Sequence, residues 1–415
     1  MTRARVLPVL VLLWCGCGRP AVPGGDPAAV PGDATPAAPA PHRRADPPPI
    51  PPEVARAWGF VSPGWIEADV LTSGMTLRPN ERAGYALPVQ GFKHTGTSKL
   101  AGRPVVPVPF GLSLAHHDVT DQKLAELAGQ PNLVVLRLNG ASITDAGLKH
   151  LAALDGLSAL SLHGTSRGAT SAGSYRGITD AGLNELRAIK GLTDLSLGGI
   201  EVTDAGARTL ATMPQLRVLG LEGTKITDAA LENLAPLTEL TEIDLTFTKV
   251  TDAGLKHLAR FKKLTRVRLS STAVTDAGVR ELAALPELTD LDLSYTKAGD
   301  GGVTALAAAP NRLTSVSLEK TRVGDEGAKA LAAAPGLTRL NLGYTRVGDD
   351  GVSALAAAPN LTGLTLVATR VTDDGVRSLF ACRKLAYVEL RETEVTDGAI
   401  RELLKARPGC RLRSW

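Results

Sequence analysis

The stretch "TDAGLKHLARFKKLTRVRLSSTAVTDAGVRELA" (residues 251–283) restarts before it ends: "TDAGLKHLA" opens it and "TDAGVRELA" returns 24 residues later. An Asp in the same frame stands at Asp121, Asp145, Asp180, Asp204, Asp228, Asp252, Asp276, Asp300, Asp325, Asp349, Asp373 and Asp397. The interval is 24 residues throughout, except for 35 between Asp145 and Asp180 and 25 between Asp300 and Asp325. The longer gap carries an 11-residue excursion within "SRGATSAGSYRG" (residues 166–177), and the shorter one extra residue in "PNRLT" (residues 310–314). Twelve units follow one another, and a fixed period of this length decides the architecture before any local reading does.

Each unit has two hydrophobic periods. In "ITDAALENLAPLTELTEIDLTFT" (residues 226–248), Leu231, Leu234 and Ala235 fall at helical spacing, whereas Leu240, Ile243 and Leu245 end in the alternation of a strand. The Thr before each Asp suits a helix N-cap, since its hydroxyl can accept a bond from an orphaned amide. The Asp at the first helical position favours the positive end of the helix dipole. Gly299, Gly324 and Gly348 replace Thr at three of these caps.

The pattern L-x-x-L-x-L-x-x-T-x-[VI]-T-D-x-G-[LV]-x-x-L resembles a leucine-rich repeat. Its 24-residue form is similar to bacterial types and to the repeats of eukaryotic F-box receptor proteins, over residues 112–415. The resemblance implies an α/β solenoid, a right-handed horseshoe arc with parallel strands on the concave face and short helices on the convex face, with protein binding as its usual work. One departure is consistent. Where many such repeats carry Asn or Cys after the strand, this chain carries Thr, at Thr165, Thr224, Thr248, Thr272, Thr296, Thr321, Thr345, Thr369 and Thr393. A buried Thr ladder can bond the turn backbone through its hydroxyl. Stacked units share one continuous core, because none can bury its apolar side alone. Twelve steps of about 4.8 Å give an inner arc on the order of 60 Å, a long surface and no pocket.

The ends of such a stack expose core. In "PFGLSLAHHDVTD" (residues 109–121) Leu112 and Leu114 align with later strand leucines, so a partial strand precedes the first full repeat. Trp58, Phe60, Trp65, Phe92 and Phe110 lie ahead of the repeats and Trp415 closes the chain, which marks residues 53–111 as a cap and "CRLRSW" as a closing strand. At the other extreme, "MTRARVLPVLVLLWCGC" has a basic start at Arg3 and Arg5, an apolar run too short to span a bilayer, and Gly16 before Cys17. Residues 1–17 resemble a bacterial lipoprotein signal, which implies lipid on Cys17. Ordinary secretion is the alternative, and Trp14 and Cys15 depart from the lipoprotein pattern. Residues 18–52, rich in Pro and Ala, read as a semi-extended tether.

Composition excludes more than it assigns. The formal charge of +4 falls to about +2 once Arg3 and Arg5 leave with the signal, and no Lys/Arg block forms a nucleic-acid footprint. Two of the four cysteines belong to the signal region, and Cys382 and Cys410 can be either bridged or two buried thiols. His116 and His117 adjoin Asp118 without metal-ligand spacing, and neither a nucleophile elbow nor a phosphate-binding loop occurs. No catalytic, metal or cofactor residue is therefore expected. A ubiquitin-ligase adaptor is disfavoured because "GFVSPGWIEADVLTSGMTLRPNERAGY" (residues 59–85) does not read as an F-box.

What remains is binding. The reading is a monomeric, non-catalytic scaffold in the cell envelope, held to the membrane by its lipid alone and facing a protein or surface polymer. A passive structural role is the alternative. Outward strand positions in the middle of the array put Glu242 and Asp244, Arg266 and Arg268, and Asp290 and Asp292 side by side, so these charges can neutralise one another. Phe247, Tyr295 and Tyr344 recur in every second unit just before the ladder threonines, about 10 Å apart at the strand spacing of about 4.8 Å. These nine residues are the candidate contact surface, with the 166–177 excursion in reserve.

Overall fold

A computed structural model describes residues 51–57, 64–66, 89–93, 102–114, 119–164 and 177–414. The signal reading, Cys17, all of the tether but residues 51 and 52, Trp58, Phe60, the His116/His117 pair, Thr165, all but the last residue of the excursion, and Trp415 lie outside the described residues, and Pro52 opens a short helix, Pro52–Ala57.

Fifteen strands form one sheet in chain order. Gly64–Ile66 pairs antiparallel with Val89–Lys93, and every later pairing, through Phe110–Ser113 to Arg411–Arg413, is parallel. The repeat strands keep one register, so that Leu219, Ile243, Val267 and Leu291 are successive partners. Leu112 pairs with Leu136 in the partial strand ahead of the first unit, as the leucine alignment predicts. Each strand is followed by a short helix, and consecutive helices pack on one another along the side of the sheet that holds the core. This is a leucine-rich repeat solenoid.

The core repeats with the units. In one of them Leu255 and Leu258 of the helix, Phe261 and Leu264 of the return, and Val267 and Leu269 of the strand are all fully buried. The helices are short because their ends are fixed: Thr251 caps one with its hydroxyl, and in several units a Pro such as Pro214 or Pro286 follows closely and cannot continue the turn. Ahead of the repeats, the Gln130 and Asn132 side chains bond the Val106 backbone, Oε1 of Gln130 accepting from its N–H at 3.2 Å and Nδ2 of Asn132 donating to its carbonyl at 2.8 Å.

Three polar ladders run along the solenoid. The ladder threonines act as the sequence suggests: Thr248 and Thr272 are buried, and each hydroxyl donates at 2.6 Å to the carbonyl three residues earlier. A second series, which the repeat pattern does not reveal, stands at the "LT" before each strand, where Thr265 donates to the Thr241 carbonyl and Thr289 to that of Thr265, each at 3.0 Å. The third corrects the role given to the aspartates. Eleven of them, Asp121 to Asp373, are not merely helix-opening charges, because each accepts hydrogen bonds from the start of the following unit. Eight hold both the amide and the hydroxyl of a cap Thr, while Asp276, Asp300 and Asp325 hold the amide of a cap Gly. In most units the glycine of "TDAG" packs against this grip, although Ala230 and Ala399 stand at the same position above Asp204 and Asp373. A Cβ on Gly278 would come within 2.4 Å of Oδ1 of Asp252.

Candidate binding surface

Strand register brings the six charged candidates into one block. Glu242, Arg266 and Asp290 are consecutive partners, and Asp244, Arg268 and Asp292 form the parallel row. Arg266 lies between two carboxylates, its Nη1 at 2.6 Å from Oε2 of Glu242 and its Nε at 3.8 Å from Oδ1 of Asp290. Nη1 of Arg268 lies 3.4 Å from Oδ2 of Asp244. Asp244 and Asp292 also accept the backbone N–H two residues on, from Thr246 and Ser294, each at 2.9 Å. Burial pushes the Asp292 carboxyl above the usual carboxylate range. Both arginines of the block are paired with carboxylates, and the four carboxylates against two guanidiniums leave it a formal charge of −2.

Not every outward position is open. Val135 and Ala159, placed outward by the alternation, are buried in a small cluster separate from the main core.

The aromatic row differs from the charged block in exposure and in backbone. Phe247, Tyr295 and Tyr344 are 64, 48 and 44% exposed. They occupy the turn beyond the carboxyl end of each strand, and their φ values are +55, +58 and +56°. The same turn position is glycine in the early units, at Gly140, Gly164, Gly199 and Gly223, and then Phe247, Ser271, Tyr295, Lys320, Tyr344, Ala368 and Glu392, all left-handed. A side chain in this region costs on the order of 1 kcal/mol or more, because its Cβ crowds the following carbonyl. The solenoid thus changes at Phe247 from turns without side chains to turns that display them.

Between two of these rings lies a cleft of about 460 Å³. Tyr295 and Tyr344 form its walls, with Glu319, Lys320, Asn341, Glu389 and Arg391 among its lining. The Tyr295 hydroxyl donates to Oε1 of Glu319 at 3.2 Å, and Nδ2 of Asn341 donates to Oε2 of the same residue at 3.1 Å. Nζ of Lys320 sits 5.1 Å from the centre of the Tyr295 ring. The Tyr344 hydroxyl lies 3.4 Å from both oxygens of Glu392. These neighbouring carboxylates hold both phenols above their ordinary pKa. Arg391 is paired with Glu389, which is buried.

Strand alternation turns Asn341, Thr365 and Glu389 outward and the aromatic recurrence adds the two tyrosines, but neither pattern points to Glu319 or Lys320. A usable signal is present in the column before the ladder Thr. Glycine in four units followed by side chains in seven marks one left-handed turn position, and lining up that column points to Lys320 and Glu392 as well.

Cys382 and Cys410 are both free and buried, and burial pushes both thiols up. No group of three or more His, Cys, Asp or Glu side chains among the described residues could hold a metal ion. No helix among them is long and apolar enough to cross a membrane.

The Leucine Rich repeat family model matches residues 237–259, 262–283, 285–307, 311–332 and 335–356. Among solved structures, an internalin from Listeria monocytogenes aligns at 21% identity over 62% of this chain and 81% of its own, with a TM-score of 0.44. A leucine-rich repeat protein of Leptospira interrogans aligns at 14% identity over 74% of this chain and 89% of its own, with a TM-score of 0.48. No curated protein matches.

Proposed function

We propose that this leucine-rich repeat solenoid is a non-catalytic scaffold of the cell envelope that binds a protein partner along the edge of its sheet carrying Phe247, Tyr295 and Tyr344. One observation carries the reading: three large rings are held exposed in a backbone conformation that glycine adopts freely and that opposes them. Nothing in the packing of the core requires these side chains, since four earlier units close the same turn with glycine. The same conformation is kept at Ser271, Lys320, Ala368 and Glu392, so the strain belongs to the whole turn column, and the three exposed rings within it support a surface used for contact because Tyr is a favoured anchor at protein interfaces. Leucine-rich repeats serve protein binding in general, which supports the same class. The charges from Glu242 to Asp292 then form a flank whose two arginines are paired and whose four carboxylates leave a formal surplus of two negative charges, so that short-range complementarity has the larger part in setting the fit.

Envelope display is the second part of the proposal. Its basis is the basic, apolar and Gly-Cys sequence of residues 1–17 followed by the Pro/Ala-rich residues 18–52, which together would hold the repeats off a membrane through lipid on Cys17. Palmitate labelling of the wild type and of Cys17→Ser tests it: label on the first alone supports the anchor, and equal absence of label from both removes it.

The binding reading is tested by affinity capture from envelope extract. The wild type is compared with a Phe247→Gly, Tyr295→Gly, Tyr344→Gly variant, which keeps the left-handed turns. A discrete set of proteins retained by the wild type and lost by the variant is expected. Identical capture would move the site elsewhere, and capture of nothing by either would favour a passive structural role.

A further inference from the structure

We infer that the cleft between Tyr295 and Tyr344 receives an arginine side chain of the partner protein, its guanidinium stacked on the Tyr344 ring and bonded to the carboxylates of Glu319 and Glu392. The inference rests on the binding reading above and supplies its chemistry.

The cleft volume of about 460 Å³ falls within the range of sites that enclose a side chain or small ligand. Its two rings are already oriented, Tyr295 by Glu319 and Lys320, Tyr344 by Glu392, so little rotamer freedom remains to be lost on binding. One wall shows the relevant contact within the chain itself, where the Lys320 ammonium lies over the Tyr295 ring. Tyr344 has no such cation among the described residues.

The charges favour a cation as the occupant. Along the strand face, Glu242, Asp244, Asp290 and Glu389 each have an arginine partner. Glu319 and Glu392 do not: among the described residues the first holds the Tyr295 phenol and the Asn341 amide, and the second the Tyr344 phenol. The cations of the cleft are committed elsewhere, Lys320 to the other ring and Arg391 to Glu389. Both carboxylates therefore act on Tyr344, Glu319 from the cleft lining and Glu392 at the hydroxyl just outside it, and neither makes an ion pair among the described residues, Arg391 being the one opposing charge that the phenol feels there. A guanidinium suits this geometry better than an ammonium, because its plane stacks on a ring while its edge bonds carboxylates on two sides.

The test is titration of the full chain with N-acetyl-arginine methylamide, followed by NMR of the Tyr344 ring, beside the citrulline analogue, which keeps the shape and lacks the charge. Saturable shifts in the millimolar range are expected, weakening with salt, with citrulline about tenfold weaker or worse. The Glu319→Gln, Glu392→Gln variant should lose a similar factor with unchanged Tm, and Tyr344→Gly, followed through the Tyr295 ring, should lose the site while keeping the turn. Equal binding of arginine and citrulline, or undiminished arginine binding by the double Gln variant, would overturn the proposal. So would ring shifts produced by a neutral disaccharide but not by arginine. If arginine fails to bind while glycine substitution still abolishes protein capture, this inference falls and the binding reading stands.

Discussion

The carboxylate of Asp228 grips Thr251 of the following unit with both oxygens, Oδ1 accepting the backbone N–H at 2.7 Å and Oδ2 accepting the hydroxyl at 2.6 Å. The same Thr251 hydroxyl accepts the N–H of Ala253 and so caps its own helix at 3.3 Å. One threonine thus joins the end of one repeat's ladder to the start of the next helix. Repeat proteins are held together by such nearest-neighbour contacts, so the loss of one link weakens one interface rather than the whole array.

Asp252 makes the same grip on Thr275, at 2.8 and 2.6 Å. Had it only favoured a helix start, Asp252→Ala would cost about 0.3 to 1 kcal/mol. Two charge-assisted bonds in a half-buried setting raise the expectation to about 1.5 to 3 kcal/mol, nearer the lower figure because water reaches the site. The measurement is amide exchange at Thr275, expected to speed up by about tenfold or more. A double-mutant cycle with Thr275→Val should recover part of the loss as coupling. Exchange unchanged at Thr275 would reduce the grip to a geometric coincidence.

Leu245 and Thr248 separate the apolar and polar contributions within one unit. Leu245 is fully buried in the strand ladder, and Leu245→Ala should cost about 2 to 5 kcal/mol in urea unfolding. Thr248→Val keeps the shape and removes the hydroxyl that donates to the Leu245 carbonyl at 2.6 Å. That carbonyl also accepts the Thr248 backbone N–H at 3.3 Å, so it is not left bare and the cost should stay near 1 kcal/mol, on the order of one ordinary hydrogen bond. A Thr248→Val loss as large as that of Leu245→Ala would mean the threonine ladder, not the leucines, holds the turn.

The solenoid was legible because its signal is periodic and its core is made of residues that cannot be elsewhere. Even the partial strand at Leu112 could be placed by register alone. The Asp grip was not legible, because the same Asp at a first helical position satisfies the simpler reading, and only the stacking distance tells the two apart. Gly278 packs against that contact, but Ala230 and Ala399 hold the same place above Asp204 and Asp373, so the glycine column does not by itself report the grip. The cleft was hidden for a related reason: Glu319, Asn341 and Glu389 come from three different units and meet only through strand register.

Two aspartates should respond to acid in opposite senses. The Asp292 carboxyl is raised by burial, so the folded state holds its proton more tightly than the unfolded chain and this group's contribution to stability falls as pH rises through the interval above the unfolded value of about 3.9. Asp292→Asn should therefore raise Tm at pH 7, and its advantage should shrink as the pH approaches about 4. Asp373 is lowered by the backbone and hydroxyl bonds from Thr396, so its contribution is complete above about 3.9 and is lost as pH falls through the folded value. Asp373→Asn should lower Tm at pH 7 and matter least in strong acid. Thermal unfolding of both variants across pH 2 to 7 checks the pair, and parallel pH profiles for the two would contradict the assigned causes.

The left-handed turns give the sharpest contrast. At most exposed positions glycine is less stable than alanine, because it frees the unfolded chain. Phe247 has φ of +55° and is 64% exposed, so truncation removes little packing while the backbone still opposes any Cβ. Phe247→Gly should therefore be more stable than Phe247→Ala by about 1 kcal/mol, and at least as stable as the wild type. The glycines at Gly199 and Gly223 show that this turn closes without a side chain. Equilibrium unfolding of the three proteins decides the matter. If alanine proves equal to glycine, the turn carries no strain and the aromatic row loses its main argument for selection by contact; if glycine wins while capture of the partner is lost, stability has been exchanged for binding at this edge.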